Sequence, residues 1–543
     1  MEGDTAAVVR LRGTPVSPGL ARGPLVVLAD EGHLPARECG SADAESTRMR
    51  AAIAAASAEL ATLAAALDVE AQTILAFQIA MLADPVVIEP ALAAVELGDT
   101  AEQAWRSAMD LHIRDYHRAD DLYFRARASD LRDMRDRVLL KLGGTGATAI
   151  PPGSIVVAAD LPPSRFLEVA WEGGGVALME GSPNSHVAML ARSRGVPMLI
   201  GLERADLRGH AEALIDTDDA VLVASPDHHL AVEFAARQQH AERTRAELER
   251  NVDRPAVTGD GERVQLLINV ADGSELDGID PACCDGVGLV RTELMLRDRT
   301  DVANEEKQYQ AYCRILRWAN GRPVTIRTLD AGGDKPIAGY TVDDEANPFL
   351  GMRGVRLSLL HSDVFSVQLR ALARAAALGP LKVMVPMVTA PRELDRVHAL
   401  LERAIGDLRK RGTPCAAPEL GMMVEVPTAA LTIDRFAADF FSIGSNDLIQ
   451  YLTASSRDAA GLAQLQEPLQ PAVLRLIREI VDHAHARRIP VSLCGDMASD
   501  VRCIPALLDL GLRCLSVAPA AVARVKGAVA RHRMATAKAE PLA

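Results

Sequence analysis

The sequence predicts a multidomain α/β protein: an α/β domain interrupted by an inserted helical bundle, followed by a C-terminal (β/α)8 barrel of the TIM type. Three observations carry this reading. Eight short apolar runs recur across the second half of the chain, with amphipathic stretches between most of them; that is the pattern of strand-plus-helix units closing into a barrel. Residues from about 41 to 141 nearly lack glycine and are rich in Ala, Leu, Glu and Arg. Strand-like segments flank that stretch on both sides.

Residues 1–30 alternate short apolar runs with glycine and proline, as in TPVSPGLARGPLVVLAD, and predict one or two strands. The alanine-rich region that follows spaces Trp105, Met109, Ile113 and Tyr116 as a helix does. Asp84-Pro85 and Leu97-Gly98-Asp99 break it into several helices, so an antiparallel bundle over 41–141 is expected. Strand signals resume at 154–161, 175–180, 196–202 and 219–224, so that 1–30 and 145–225 form one discontinuous domain. Residues 230–252 lack the signals of a packed element and read as a solvated connecting helix. The barrel then occupies 255–543, its strands centred on 264–270, 286–294, 324–330, 382–388, 420–426, 439–447, 489–496 and 512–518.

Composition limits the function. The formal charge is −14, from 59 basic and 73 acidic residues, and no basic patch stands out, which argues against nucleic acid. Such a field repels anions, so an anionic substrate requires arginines concentrated locally. The eight cysteines form no CxxC pair, so neither a zinc ribbon nor a dithiol site is indicated; scattered thiols point to a reduced, cytoplasmic setting. The N-terminus lacks a signal-peptide pattern, and the most apolar stretch, 51–67, is broken by Glu59, so no membrane insertion is expected.

Barrel chemistry gathers at the C-terminal ends of the strands. Those ends read Asn269, Arg291, Arg327 with Asp330, Pro386, Glu425, Asn446-Asp447 and Cys494, with Arg353, Arg356 and Arg457 on following segments. Singly, each is an ordinary ion pair or a buried small hydrophobe. Together the arginines suit a ligand carrying phosphate and carboxylate, both of which guanidinium groups grip by paired hydrogen bonds. Glu425 and Asp447 are hard oxygen donors on neighbouring strand ends and suit Mg2+. In the first half, His186 follows Gly181-Ser182-Pro183-Asn184-Ser185 and precedes a helical A-M-L-A-R run. It is therefore expected at a helix N-terminus, where backbone N–H groups favour an anion. The His228-His229 and His483/His485 pairs read as surface features.

The runs FFSIGSNDLIQYLTASSRD, LGMMVEVP, TIRTLDAGGDKP, NPFLGMRGVR and GVGLVRTELM resemble the phosphoenolpyruvate-binding barrel of Enzyme I, the phosphoenolpyruvate-protein phosphotransferase of the bacterial sugar phosphotransferase system. GSPNSHVAMLARSRGVP resembles that family's phosphohistidine segment and VSPGLARGPL its N-terminal strand, so the match runs in order over nearly the whole chain. The resemblance implies that His186 is the phosphorylated histidine, with Arg192 supporting it. It implies that Arg291, Arg327, Arg353, Arg457 and Asn446 bind phosphoenolpyruvate, that Glu425 and Asp447 hold Mg2+, and that Cys494 protonates the departing enolate. It further implies an HPr-like acceptor protein docking on the bundle and a homodimer formed through the barrel.

Three segments depart from the family's pattern. G-S-P-N-S-H stands for the common G-G-x-T-S-H, C-G-D for C-G-E, and S-S-R for D-R before Arg457. These bear on rate and on partner choice more than on reaction type. Pyruvate phosphate dikinase and phosphoenolpyruvate synthase share both modules but also need a nucleotide-binding domain. No glycine-rich ATP loop is found here, so they are not expected. A paralogue with mainly regulatory output is the other alternative; passage of phosphate to an HPr separates it from a transport enzyme.

Overall fold

The computed structural model describes residues 7–28, 37–65, 69–118, 122–143, 149–181, 185–333, 335–342, 345–456 and 460–533. The chain divides into two compact units, Met1–Ala241 and Glu242–Ala543.

The first unit opens with three strands, β1 (Val9–Arg12), β2 (Thr14–Ser17) and β3 (Leu20–Val27). Five helices follow: α1 (Ala42–Ala65), α2 (Val69–Leu82), α3 (Pro85–Glu96), α4 (Ala101–Arg118) and α5 (Leu122–Lys141). The chain then returns to the sheet through β4 (Ile155–Ala158), α6 (Pro163–Glu168), β5 (Gly175–Leu178), α7 (His186–Arg194), β6 (Met198–Ile200), β7 (Glu212–Asp216) and β8 (Val221–Ala224). Helix α8 (His228–Arg250) leads out of this unit.

Local chemistry sets these boundaries. Asp84 caps α3, its side chain accepting from the Val86 N–H at 2.9 Å, and Pro85 opens the helix where no N–H is needed. Trp105, Met109 and Ile113 form the buried stripe of α4, and the Trp105 indole donates to the Arg135 carbonyl of α5 at 3.2 Å. The eight strands run in the order β1-β8-β7-β3-β4-β5-β6-β2, parallel from β3 to β6 and antiparallel elsewhere. One apolar core joins the bundle to the sheet and includes Val187, Leu190 and Ala191 of α7. That anchors the helix carrying His186 on both elements.

The second unit starts with a short strand β9 (Ala256–Val257), antiparallel to β10 (Arg263–Val270). Seven further strands follow: β11 (Val287–Arg291), β12 (Val324–Arg327), β13 (Leu381–Val385), β14 (Glu419–Val424), β15 (Phe441–Gly444), β16 (Val491–Cys494) and β17 (Cys514–Val517). Each pairs in parallel with the next, and β10 pairs with both β11 and β17, so β10 to β17 close a barrel. The outer helices cover it by their apolar stripes. The helix Pro391–Lys410 buries Leu394, Val397, Leu401, Ala404 and Leu408 at spacings of three and four, each such leucine contributing about 1.5–3 kcal/mol. Among the described residues no single helix is long and apolar enough to cross a membrane.

Three details differ from the sequence expectation. The N-terminal segment holds three strands rather than one or two, and β7 is an additional strand. The barrel strands after β10 are shorter than their apolar runs, and after β11 and β15 this is because helices begin at once at Thr292 and at Ser445.

Candidate active site

The barrel mouth is assembled by strand register. β11 and β12 end on Arg291 and Arg327, which are direct register partners, so two guanidinium groups leave adjacent strands at one level. Glu425 lies one residue past β14. Gly444 closes β15, and the helix Ser445–Thr453 carries Asn446 and Asp447 in its first turn. A Cβ on Gly444 would sit 2.9 Å from both Cβ and Oε2 of Glu425, so only glycine lets that carboxylate lie across the neighbouring strand end. Cys494 ends β16 in register with Gly444. Gly495 follows at φ +99°, where a Cβ would be 2.4 Å from Ser445 Oγ and 2.6 Å from Asn446 Oδ1. Asn446 Oδ1 accepts the Asp496 N–H at 2.9 Å, tying the two loops together.

A buried ionic network fills the mouth. Arg327 Nη2 meets Glu293 Oε1 at 2.5 Å and Asp330 Oδ2 at 3.2 Å. Arg353 Nη2 meets Asp330 Oδ2 at 3.0 Å and Asp447 Oδ2 at 3.5 Å, while its Nη1 donates to the Tyr451 hydroxyl at 3.1 Å. Lys335 Nζ reaches Glu293 Oε1 at 3.0 Å. Desolvating so many charges is costly, and such networks seldom add net stability. Their value is a set of charges fixed before a ligand arrives.

The charges do not balance evenly. Burial pushes Asp330 up, but Arg327, Arg353 and Lys335 outweigh it and hold the carboxyl below its ordinary range. Glu425 goes the other way: burial, and then the charge of Asp447, push it up to about 8. Its Oε1 accepts the Met387 N–H at 2.6 Å, whereas its buried Oε2 has no hydrogen-bond partner among the described residues. A buried carboxylate with an unengaged oxygen, destabilised by a second carboxylate, fits a hard divalent cation. No group of three or more His, Cys, Asp or Glu positioned for a metal occurs among the described residues. Two carboxylates with the remaining positions left to substrate and water match Mg2+ better than a cage of protein ligands.

Cys494 is buried, and burial pushes its thiol up. Its Sγ–H donates to the Ile443 carbonyl at 3.5 Å and its sulfur accepts from Ser442 Oγ at 3.6 Å. Burial thus favours the protonated thiol over the thiolate.

In the first unit, Ser185 caps α7, its Oγ accepting the Ala188 N–H at 3.2 Å, and His186 is the first helical residue. This is the helix-terminal position expected from the sequence. The imidazole Nδ1 lies 3.3 Å from each carboxylate oxygen of Asp130 on α5. Asp130 is fully buried and pairs with Arg127, which stacks over the Phe77 ring of α2 with its guanidinium carbon 4.1 Å from the centroid.

Three domain families match the chain in order. They are the N-terminal domain of phosphoenolpyruvate-utilising enzymes over residues 12–127, their mobile domain over 150–223 and their phosphoenolpyruvate-binding domain over 245–534. A phosphoenolpyruvate-protein phosphotransferase of Geobacillus stearothermophilus is 35% identical over 490 residues, 88% of this chain and 85% of the relative. One from Cupriavidus necator is 35% identical over 546 residues, covering 95% and 93% of the two chains. One from Enterococcus faecalis is 34% identical over 507 residues, covering 90% and 88%. The chain belongs to the phosphoenolpyruvate-protein phosphotransferase family.

Within this phosphotransferase fold, the structure brings Arg327, Arg353, Glu425 and Asp447 into one charged cluster with Asp330, and sets Arg291, Asn446 and Cys494 on the same rim. Arg192 lies exposed in the last turn of α7, nearly two turns from His186. Arg457 and the Ser182-Pro183-Asn184 departure lie outside the described residues. Sequence reasoning passed over Lys335, Glu293 and Tyr451 at the barrel mouth, and Asp130 beside His186. The signals were present: Glu293 is two residues past Arg291, and Lys335 sits in the same glycine-rich turn as Asp330.

Proposed function

We propose that this chain transfers the phosphoryl group of phosphoenolpyruvate to its own His186 and then to a histidine of an HPr-like carrier, releasing pyruvate, as the first step of phosphotransferase-system sugar uptake. The observation that carries the reading is the barrel rim, where Arg327, Arg353 and Lys335 converge beside the Glu425–Asp447 pair and a protonated Cys494.

Arg291, Arg327, Arg353 and Arg457 grip the phosphate and carboxylate of the substrate, joined by Lys335 and by the side-chain amide of Asn446. Glu425 and Asp447 would hold Mg2+, and when bound it would supply charge neutralisation for the phosphoryl oxygens. A ring nitrogen of His186 attacks phosphorus and the bond to the enolate oxygen breaks. The enolate carbon takes the proton from Cys494 Sγ, giving pyruvate, and the thiolate regains a proton from solvent. His186 and the barrel belong to different units, so the histidine visits the barrel and then returns to its acceptor. The acceptor docks on the bundle, roughly residues 41–141. Arg192 supports the phosphorylated histidine. The protein works in the cytoplasm as a homodimer formed through the barrel, residues 255–543; residues 1–30 with 145–225 carry the histidine and 230–252 link the two parts.

Incubation with labelled phosphoenolpyruvate and Mg2+ tests this. Acid-labile label on the wild-type chain that is lost in His186→Ala supports the assignment. Label retained in His186→Ala overturns it.

A further inference from the structure

The helix Ser445–Thr453 brings more than Asn446 and Asp447 to the barrel mouth. Tyr451 lies four residues after Asp447, so the two side chains leave the same face of the helix one turn apart. Both meet one partner. Arg353 Nη2 lies 3.5 Å from Asp447 Oδ2, and Arg353 Nη1 donates to the Tyr451 hydroxyl at 3.1 Å. From the segment after β12, Asp330 accepts from Nε at 3.4 Å and from Nη2 at 3.0 Å. The two acids thus occupy the Nε and Nη2 side of a buried guanidinium, and the tyrosine sets the direction of the Nη1 end.

The Tyr451 hydroxyl is used twice. It accepts from Arg353 and donates to the Phe349 carbonyl at 2.6 Å. A phenol has one hydrogen to give and lone pairs with which to accept, so both bonds form together. Burial pushes this phenol up to about 12 and outweighs the opposing charge of Arg353, so the donor hydrogen stays in place. Phe349 precedes Arg353 by four residues, and its ring centroid lies 5.9 Å from the guanidinium carbon. Arg353, Tyr451 and Phe349 therefore close on one another.

We infer that Tyr451 is a positioning residue for phosphoryl transfer: its hydroxyl aims the Arg353 guanidinium and clasps the Phe349 turn to the helix that bears Asn446 and Asp447. The inference deepens the function proposed above and rests on it for the substrate that Arg353 grips.

The turn is built to be held. Pro348–Leu350 forms a single 3-10 turn. Glu345 Oε1 accepts the Met352 N–H at 2.8 Å, and a Cβ on Gly351 would overlap that carboxylate and displace it. Arg356 Nη1 donates to the Leu350 and Gly351 carbonyls at 3.2 and 3.1 Å, while its Nη2 donates to Thr389 Oγ1 at 3.1 Å. Three successive carbonyls, 349 to 351, are thus taken by two side chains. Arg356 ties the turn towards the segment after β13; Tyr451 ties it to the helix after β15 and touches Arg353 as well. An arginine held in this way loses little freedom when an oxyanion arrives, whereas a loose one must first be ordered. Removing the hydroxyl should therefore weaken substrate binding more than it slows the chemistry of the bound substrate.

The test uses the full-length chain as wild type, Tyr451→Phe, Arg353→Lys and the double variant. Tyr451→Phe keeps the ring and removes only the hydroxyl. In single-turnover phosphorylation with Mg2+, its half-saturation by phosphoenolpyruvate should rise roughly tenfold, while the plateau rate stays within about threefold. An unchanged half-saturation overturns the inference, and so does a plateau loss as large as the shift in half-saturation. The double variant separates aiming of Arg353 from general support of the fold. If the hydroxyl works through Arg353, adding Tyr451→Phe to Arg353→Lys should weaken half-saturation by no more than about twofold; a second loss as large as the first overturns the inference. Hydrogen exchange without ligand reads the clasp itself. The Leu350 and Gly351 amides, bonded within the turn to the Asn347 and Pro348 carbonyls, should exchange faster in Tyr451→Phe than in wild type; equal exchange overturns it. Faster exchange in Tyr451→Phe, beside a wild-type chain that takes no label from phosphoenolpyruvate, would support the clasp and sink the proposed function instead.

Discussion

Glu425 is raised at the barrel mouth, first by its own burial and then by the charge of Asp447, which together push it up to about 8. An unfolded glutamate titrates near ~4.3, so without a cation the folded chain binds one more proton than the unfolded chain between those values. This raised group therefore contributes stability that is full below ~4.3 and is lost as pH rises through about 8. Melting of the EDTA-treated protein should shift downward between pH 6 and pH 8.5, and Glu425→Gln should flatten that slope. Mg2+ should raise the melting temperature more at pH 8.5 than at pH 6. An equally steep slope in Glu425→Gln would remove Glu425 as its source.

Cys494 should act in proton delivery and not in binding. Its thiol is buried, pushed up by that burial and hydrogen-bonded to Ile443 and Ser442. Cys494→Ala should slow pyruvate formation by roughly 10²–10⁴-fold while binding of phosphoenolpyruvate measured by calorimetry stays within a few-fold. Loss of binding would make the residue structural.

Gly495 joins the end of β16 to the loop that ties Asn446. Its φ of +99° and the 2.4 Å approach of a Cβ to Ser445 Oγ mean that Gly495→Ala carries both backbone strain and a clash. The cost should be about 2 kcal/mol or more, read as a lower denaturation midpoint of the second unit. Affinity for phosphoenolpyruvate should weaken as well, because Asn446 must move. Gly412→Ala, also at positive φ (+68°) but with open space around it, should cost less; equal costs would mean that strain alone, not the clash, decides.

The barrel was readable because each strand is an apolar run bounded by turns, and the rim residues fell on those runs' ends. The ends themselves blurred where an apolar strand passes straight into a helix, so Asn446 and Asp447 belong to a first helical turn rather than to a strand tip. β7 escaped because its alternation is short and its surroundings, His210 to Ala220, are crowded with charge. Asp130 escaped for a different reason. Charged residues at helical spacing on α5 look like a solvated face, and only tertiary packing against α2, α6 and α7 turns that face inward. Lys335 and Glu293 come from separate segments and acquire meaning only once β11 and β12 pair.

The first unit has its own acid-sensitive joint in Glu45. The side chain is 2% exposed, accepts from Arg37 and Arg48, and takes the N–H groups of Gly40 at 2.9 Å and Ala101 at 3.0 Å. Ala101 opens α4, so a carboxylate from α1 caps another helix and sits at the positive end of its dipole. The Arg37 hydrogen bond, partly opposed by burial and aided by those backbone donors, holds Glu45 well below the usual carboxylate range. A depressed acid contributes stability that is present above the unfolded value near ~4.3 and is lost as pH falls through the folded one. The first unit should therefore begin to lose stability below about pH 4.3, and Glu45→Gln should weaken that dependence while costing about 2 kcal/mol near neutral pH. Chemical denaturation of the wild type and Glu45→Gln at pH 7 and pH 4, followed by the fluorescence of Trp105, measures both; parallel losses in the two proteins would exclude Glu45 as the acid-sensitive group.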